Sequence, residues 1–228
     1  MVRNILLDLD DTIFDFHKAE RIALSRALTE MGVAVSDDIL RRYSEINRDR
    51  WQRLERGELT RREVLISRFE ILYGELGVDA SPERTQEFYE EYLSIGHHYL
   101  PWGHELLDAL YGKYRLYLAS NGTARVQEGR IASAGIAPYF DDMFISQHLG
   151  HDKPSVEFFD AAFARIPDFS REETVIVGDS LTSDIRGGNN AGIRTVWYNP
   201  KGLSRMDGIR VDHEIRSLKE LPALLLTL

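Results

Sequence analysis

The sequence of 228 residues contains no cysteine. Without thiols the protein cannot form disulfide bonds, use a cysteine nucleophile or hold zinc or iron–sulfur clusters through sulfur. The sequence also lacks an excess of basic residues, because 28 Lys and Arg stand against 37 Asp and Glu, for a net charge of −9. Binding to a nucleic-acid polymer depends mainly on neutralising phosphates, so no polymer partner is expected.

Long apolar runs are missing as well. No run approaches the ~20 residues that a membrane-spanning helix needs, and there is no charged-then-apolar leader at the first residues. We therefore expect a soluble cytoplasmic protein without a membrane partner. With 43% hydrophobic residues, the chain can bury one large core, or a core and a smaller second domain.

Two carboxylates follow the first apolar stretch of the chain. Asn4–Leu7 predicts a short buried strand, and Asp8 and Asp10 come directly after it, with Thr12 two residues further on. Carboxylates this close repel one another unless a cation, a shared proton or strong donors lie beside them. Ligands of open α/β sheets collect at the carboxyl ends of strands, so we predict a metal-dependent active site that begins at Asp8.

The rest of the chain divides by pattern into two parts. Residues 17–98 carry apolar residues at three- and four-residue spacing, which predicts four successive helices. From residue 99 onward, apolar stretches alternate with helical patterns, which predicts a parallel sheet with helices on both faces. The expected fold class is α/β, with a doubly wound, Rossmann-like core formed by residues 1–16 and 99–228. An all-helical cap domain, residues 17–98, is expected to be inserted behind the acidic loop.

Later strand ends repeat the pattern of the first one. The polar residues are Ser120-Asn121-Gly122 after a strand at 114–119, Lys153-Pro154 in the loop after a strand at 143–145, and Gly178-Asp179 with Asp184 after a strand at 174–177. The carboxyl ends of parallel strands lie at one edge of a sheet, so these side chains are expected to converge with Asp8. Together they supply the nucleophile, hydroxyl groups, ammonium group and carboxylates that phosphoryl transfer requires.

This set of residues resembles the four motifs of the haloacid dehalogenase-like (HAD) superfamily of hydrolases. The motifs are Asp8-x-Asp10-x-Thr12, Ser120-Asn-Gly, Lys153-Pro and Gly178-Asp179-x4-Asp184, in the family's order and across the whole chain. The helical insertion resembles the cap of the subgroup that includes phosphoglycolate phosphatase and β-phosphoglucomutase. More narrowly, the cap resembles that of bacterial pyrimidine 5′-nucleotidases. The residues that carry this closer resemblance are Asn47, Trp51, Gly57-x-Leu-Thr60 and Arg68-Phe69.

The resemblance implies a Mg²⁺-dependent phosphomonoester hydrolase whose partner is a small phosphorylated metabolite, a nucleoside 5′-monophosphate first of all. It implies that Asp8 attacks phosphorus to form an aspartyl-phosphate, and that Asp10 acts as general acid and then as general base. Lys153 would offset the charge crowded between nucleophile and phosphate. The implied phosphate ligands are Thr12, Ser120, Asn121 and Lys153. The implied Mg²⁺ ligands are Asp8, the backbone carbonyl of Asp10, and Asp179, with Asp184 orienting a metal-bound water or Lys153.

Other activities share parts of this pattern. A phosphomutase, a sugar-phosphate phosphatase or a phosphoglycolate-type phosphatase would use the same core motifs and differ in the cap. A 2-haloacid dehalogenase would use Asp8, but its chemistry needs no metal, and that family usually lacks a carboxylate at the position of Asp10. A receiver-type signalling domain is roughly 120 residues long and has no helical insertion.

Two polar residues interrupt apolar faces of the predicted cap helices. Asn47 lies four residues from both Tyr43 and Trp51, and Arg68 is placed similarly on the next helix. A buried polar group needs a partner, which is here either the substrate or another group of the cap. Asn47, Trp51 and Arg68 are therefore the candidates for substrate specificity. The oligomeric state is left open between monomer and homodimer.

Overall fold

The computed structural model describes residues 1–228. Its six strands form one parallel sheet in the order β3-β2-β1-β4-β5-β6. The strands are β1 (Asn4–Leu7), β2 (Arg115–Ser120), β3 (Asp142–Ile145), β4 (Thr174–Gly178), β5 (Arg194–Tyr198) and β6 (His213–Ile215). The order reverses direction between β1 and β4, and this switch point is where doubly wound sheets bind their ligands. The predicted α/β fold class is confirmed.

Ten helices accompany the sheet. Four lie between β1 and β2: α1 (Phe16–Glu30), α2 (Asp37–Glu55), α3 (Arg61–Leu76) and α4 (Pro82–Leu93). The others are α5 (Gly103–Leu110), α6 (Ala124–Ala134), α7 (Ser146–Leu149), α8 (Val156–Phe163), α9 (Arg186–Ala191) and α10 (Leu221–Leu225). No helix combines the length and the apolar character that crossing a membrane would require.

Some boundaries differ from the pattern-based prediction, and capping explains the clearest case. The apolar pattern predicts that α2 begins at Ile39 or Leu40, whereas it begins at Asp37, because the Ser36 hydroxyl accepts a hydrogen bond from Ile39 N. The single helix predicted from Leu181 to Ala191 is divided into a π-helical turn, Leu181–Ile185, and α9. The short α7 was not predicted.

Helices α1–α4, residues 16–93, are called the helical unit below. They enclose a hydrophobic cluster of their own, separate from the clusters that cover the two faces of the sheet. Tyr43, Phe69 and Leu72 are fully buried in it. One member of this cluster, Val126, comes from α6, so the helical unit rests on that helix. The assignment of residues 17–98 as a separate domain stays a prediction.

Residues 94–98, the return segment, lead from the helical unit back to the sheet and contact α6 closely. A Cβ atom on Gly129 would lie 2.8 Å from both the Cβ and the backbone oxygen of Ser94. One residue further on, Arg130 Nε donates a hydrogen bond to Gly96 O at 2.8 Å. The glycine thus permits a close approach that any side chain would prevent.

We expect Gly129→Ala to lower the free energy of unfolding by ~1–3 kcal/mol, because the added methyl group has no room beside Ser94. The matched control is Gly74→Ala in α3, where nothing lies within 4 Å of the added Cβ. That change should raise the free energy of unfolding by ~0.5–1 kcal/mol through helix propensity. Chemical denaturation measures both, and equal stabilisation by the two substitutions would contradict the close packing.

Candidate active site

A buried ion cluster lies at the carboxyl ends of β1, β2 and β4. Lys153 Nζ donates to Asp8 Oδ1 at 2.8 Å, to Asp184 Oδ1 at 2.7 Å and to Ala119 O at 2.5 Å. Lys153 is only 1% exposed, so its ammonium group is enclosed by these three acceptors. Three of the predicted site residues, which come from separate parts of the sequence, are therefore brought together here.

The loop that carries Lys153 is fastened to the loop after β2 by Asn121. The Asn121 side chain donates through Nδ2 to Lys153 O and accepts from Lys153 N, both at 2.8 Å. The amide group of this predicted phosphate ligand is thus used to position the lysine. Because the side chain is occupied in this way, Asn121 could contact a phosphate only through its backbone N–H.

Of the two predicted hydroxyl groups, that of Thr12 is hydrogen-bonded to the nucleophile candidate and that of Ser120 is not. Thr12 Oγ1 donates to Asp8 Oδ2 at 3.2 Å and accepts from Asp179 N at 3.2 Å. Ser120 Oγ accepts from Gln127 Nε2 at 2.7 Å. Thr12 therefore connects the ends of β1 and β4, while Ser120 belongs to a separate hydrogen-bond network with α6.

Three carboxyl groups are close enough together to hold a metal ion. Asp8, Asp179 and Asp184 each place a carboxylate oxygen within 4.8 Å of the other two. Both oxygens of Asp184 already have partners, since Oδ1 accepts from the lysine ammonium group and Oδ2 accepts from Ser180 N at 3.1 Å. Both oxygens of Asp8 likewise accept, from Lys153 and Thr12, whereas the Asp179 carboxylate has no hydrogen-bond partner. Hard oxygen donors of this kind fit Mg²⁺. The role of the Asp10 backbone carbonyl stays a prediction.

Burial and mutual repulsion oppose ionisation of these carboxyl groups. Burial raises the pKa of Asp8 to about 7, an effect that Lys153 opposes and that Asp184 and Asp10 increase. Burial, together with Asp8 and Asp184, raises the pKa of Asp179 well above its usual range. Burial acts to lower the pKa of Lys153, but Asp184 and Asp8 raise it above its usual range. One fixed cation therefore faces several carboxyl groups, and a second cation would allow them to ionise together.

The pH dependence of stability follows from these shifts. The stability contributed by a raised pKa is fully present below the ordinary value, 3.8 for Asp8, and is lost as the pH rises through about 7. The melting temperature of the metal-free protein should therefore fall between pH 5 and pH 8, by ~5 °C or more for a loss of a few kcal/mol. Added Mg²⁺ should restore stability at pH 8, because a ligand of the folded state alone stabilises by mass action.

Asp179→Asn tests this interpretation, with the melting temperatures of the variant and of the wild-type protein measured by scanning calorimetry across pH 5–8 with and without Mg²⁺. The substitution removes one carboxyl group with a raised pKa and one metal ligand, so it should weaken both the pH effect and the Mg²⁺ effect. The exposed Asp38, on the outside of α2, supplies the control substitution Asp38→Asn, which should change neither effect. An undiminished Mg²⁺ response in Asp179→Asn would contradict the proposed ligand set.

Two side chains from α6 hold the carboxylate of Asp10. Arg130 Nη1 is ion-paired with Oδ1, and Gln127 Nε2 donates to Oδ2 at 2.6 Å. Neither Gln127 nor Arg130 was predicted as a site residue. Their spacing of three places both on one face of the helix that follows Ser120, which is the signal in the sequence that points to them.

A cavity of about 260 Å³ adjoins the ion cluster and extends between the sheet edge and the helical unit. Its hydrophobic lining residues are Phe16, Trp51, Leu65, Tyr89, Leu93 and Val126. Two further carboxylates, Glu55 and Glu90, lie in the wall supplied by the helical unit. Glu55 accepts a hydrogen bond from Thr182 Oγ1 at 2.8 Å, and burial raises its pKa. The cavity thus has a polar wall at the sheet edge and a partly aromatic wall from the helical unit.

The three specificity candidates have different positions relative to this cavity. Trp51 and Arg68 line it, whereas Asn47 does not. Arg68 donates to Asn47 Oδ1 at 2.7 Å and to Gln86 Oε1 at 2.6 Å, and Asn47 in turn donates to Glu20 Oε1 at 2.7 Å. The sequence left open whether Asn47 and Arg68 are paired with a substrate or with other groups of the cap. In the structure their partners are residues of the helical unit.

We expect Arg68→Met to destabilise the protein by ~3–5 kcal/mol, because the buried Glu20–Asn47 pair loses its neighbouring cation and Gln86 loses a donor. The control is Arg62→Met on the same helix, at an exposed position, where a change within ±0.5 kcal/mol is expected. Urea denaturation measures both. A small effect in Arg68→Met, combined with a loss of nucleotide selectivity, would instead assign Arg68 to the substrate.

Arg61, the first residue of α3, connects the helical unit to the loops that follow β2 and β3. Its guanidinium group donates to Asn121 O at 2.8 Å and to Ser146 Oγ at 2.6 Å, and it is ion-paired with Asp152. The same group lies 5.5 Å from the ring centre of Trp51. The position of Trp51 in the cavity wall is therefore linked to the loops that carry the predicted phosphate ligands.

Sequence comparison defines the class of protein. The profile of the haloacid dehalogenase-like hydrolases matches residues 2–192. The match covers most of the chain, so this protein belongs to that family and is a hydrolase. The resemblance of the four motifs is thereby confirmed.

Several individual proteins of known name are similar to this chain over almost its whole length. The HAD-hydrolase YfnB of Bacillus subtilis is 38% identical over 96% of this chain and 93% of its own length. The pyrimidine 5′-nucleotidase PynA of Streptococcus pneumoniae is 38% identical over 95% of this chain and 92% of its own. The pyrimidine 5′-nucleotidase YjjG of Escherichia coli is 30% identical over 97% and 96%, respectively. The crystal structure of YfnB bound to magnesium superimposes with a TM-score of 0.94 over 98% of both chains.

Proposed function

We propose that this protein is a Mg²⁺-dependent phosphatase that hydrolyses pyrimidine nucleoside 5′-monophosphates. The observation that carries the proposal is that one cavity contains both the Asp8–Lys153 ion cluster and an aromatic wall from the helical unit. Two relatives that align over almost the whole chain, PynA and YjjG, are pyrimidine 5′-nucleotidases. The acidic cluster and the magnesium-bound structure of YfnB support Mg²⁺ as the cofactor.

In the first step, a carboxylate oxygen of Asp8 would attack the phosphorus atom. The Asp8–phosphorus bond forms while the bond from phosphorus to the 5′ oxygen breaks, and Asp10 gives its proton to that leaving oxygen. Lys153 and Thr12 fix the two Asp8 oxygens, at 2.8 and 3.2 Å respectively, so the nucleophile is oriented before the substrate enters.

In the second step, a water molecule would attack the aspartyl-phosphate on Asp8. Asp10, now a carboxylate, takes a proton from this water, and inorganic phosphate leaves as the free Asp8 carboxylate is restored. Mg²⁺ held by Asp8 and Asp179 would neutralise part of the charge that otherwise keeps a carboxylate away from an anionic phosphate. Lys153 contributes in the same way from within the protein.

The chemistry of the cavity wall favours a substrate that is neutral beyond its phosphate group. Glu55 and Glu90 would repel a second anionic group, such as the carboxylate of phosphoglycolate or the second phosphate of a sugar bisphosphate. The same carboxylates can accept hydrogen bonds from base N–H groups or ribose hydroxyls. Trp51 and Tyr89 offer aromatic surface for a base. The helical unit would then act as the cap that covers a small metabolite during reaction.

A panel of phosphate monoesters tests the proposal. Metal-free protein would be assayed for phosphate release with and without added Mg²⁺, on UMP, CMP, dTMP, AMP, GMP, phosphoglycolate and glucose 6-phosphate. We expect release only with Mg²⁺, and a kcat/KM at least ~10-fold higher for pyrimidine than for purine nucleotides, equivalent to ~1.4 kcal/mol. Full activity without metal, or isomerisation of a sugar phosphate without phosphate release, would overturn it.

Trp51→Ala should separate recognition of the base from chemistry. We expect kcat/KM for the preferred nucleotide to fall ~10-fold or more, because an aromatic contact contributes ~1–3 kcal/mol per stacked base. p-Nitrophenyl phosphate, which has no nucleoside, should be hydrolysed within ~3-fold of wild type, since that ratio is under 1 kcal/mol. Phe88→Ala, an aromatic truncation in the helical unit outside the cavity, is the control and should affect neither substrate. Equal losses on both substrates in Trp51→Ala would contradict a role in base recognition.

A further inference from the structure

The buried guanidinium group of Arg130 lies between the loop after β1, which carries Asp10, and the return segment. Its side chain is fully buried, with ring centres of Phe14 and Phe16 at 5.2 and 5.9 Å from the guanidinium carbon. Nη1 is ion-paired with Asp10, and Nε donates to Gly96 O at 2.8 Å. One rigid planar group therefore contacts both the acid–base candidate and the return segment.

Gln127 completes the environment of Asp10. Its Nε2 atom donates to Asp10 Oδ2 at 2.6 Å and to Ser120 Oγ at 2.7 Å, while its Oε1 accepts from Arg130 Nη1 at 3.2 Å. Both carboxylate oxygens of Asp10 are thus held by α6. The same network includes Ser120, a predicted phosphate ligand.

Arg130 differs from Arg68, the other buried arginine, in how fully its hydrogen-bond donors are paired. All three kinds of nitrogen in the Arg68 side chain donate to acceptors within the helical unit. Arg130 is equally buried, yet its Nη2 atom has no hydrogen-bond partner. A buried donor without a partner costs ~1–3 kcal/mol, so stability alone does not account for an arginine at this position. Its contact with Asp10 supplies another reason.

We propose that Arg130, with Gln127, is a positioning residue that orients the Asp10 carboxyl group for proton transfer and links that orientation to the return segment. The proposal rests on the proposed function, in which Asp10 protonates the leaving oxygen. Asp10 lies on a loop, and proton transfer requires hydrogen-bond distance to the leaving oxygen. Two donors from one helix, one of them also bonded to Gly96, fix the loop carboxyl group relative to the cavity.

A series of aryl phosphates tests this role, because it varies the leaving group without varying the nucleoside. kcat/KM would be measured for p-nitrophenyl, p-chlorophenyl, phenyl and p-methylphenyl phosphate, whose phenols become progressively weaker acids. The variants are Arg130→Met, Arg130→Lys and Gln127→Met. Weakly acidic leaving groups need the proton from Asp10, whereas p-nitrophenolate leaves without it.

We expect Arg130→Met to lower kcat/KM for phenyl phosphate at least ~10-fold more than for p-nitrophenyl phosphate, within the ~100- to 10,000-fold range of general acid catalysis. Gln127→Met should show the same steeper dependence on leaving-group acidity, and Arg130→Lys should recover part of the loss. Equal losses across the series would overturn the proposal and leave Arg130 with a structural role. If Arg130→Met does not fold, Gln127→Met and Arg130→Lys decide, and an unchanged dependence in both would likewise overturn it.

Ser133→Ala is the matched control. Ser133 lies three residues after Arg130 on α6 and contacts the return segment through His97 Nδ1 at 2.8 Å, but it does not contact Asp10. Ser133→Ala should leave the leaving-group dependence unchanged. A dependence as steep as that of Arg130→Met would mean that docking of the return segment alone causes the effect, and it would overturn the assignment of Arg130 as the residue that positions Asp10. Failure of the proposed function would be seen separately, as absence of hydrolysis of every ester by the wild-type protein.

Discussion

The ammonium group of Lys153 is the interaction on which the rest of the site depends. It lies 2.8 Å from Asp8 and 2.7 Å from Asp184 in a region almost closed to solvent. Moving these charges out of water costs several kcal/mol per ion, so the buried ion pairs add little net stability to the fold. Removing the lysine would leave uncompensated carboxyl groups, which would take up protons and lose their use as nucleophile and ligand. The cluster is therefore held together by the fold, and the proposed function gives a reason for its energetic cost.

The register of the sheet is what brings these groups to one point. Leu7 in β1 is paired with Leu118 in β2 and with Val177 in β4. The next residues along the three strands consequently lie side by side, so Asp8 and the loop with Asp179 leave the sheet at the same level. A slip of one residue would turn every side chain of β1 to the opposite face. Both faces of β1 are packed, with Ile5 and Leu7 in one hydrophobic cluster and Leu6 in another, so a slip would disturb the packing on both faces. Core packing thereby helps to set the geometry of the carboxylates.

The sequence was sufficient for the fold class and for the convergence of the strand-end residues, because both follow from periodicity and parallel topology. It was not sufficient for Gln127 and Arg130, since polar residues three apart on a helix resemble an ordinary solvated face until the opposite surface is known. The polar character of Arg68 was recognisable as an anomaly, but its partners were not. They lie on α2 and α4, and Asn47 connects it further to Glu20 on α1. Only the packing of four helices reveals that network.

Two arginines join the helical unit and its return segment to the predicted site residues at separate places. Arg61, at the start of α3, contacts Asn121, whose side chain positions Lys153, while Arg130 contacts both Gly96 and Asp10. A shift of the helical unit relative to the sheet would strain or break these contacts, because a planar guanidinium group cannot follow two partners that move apart. The contacts of Lys153 and of Asp10, the proposed acid–base group, thus both depend on the position of the helical unit and the return segment. If the proposed function is correct, closure of the helical unit over a substrate would therefore act directly on the groups proposed to react.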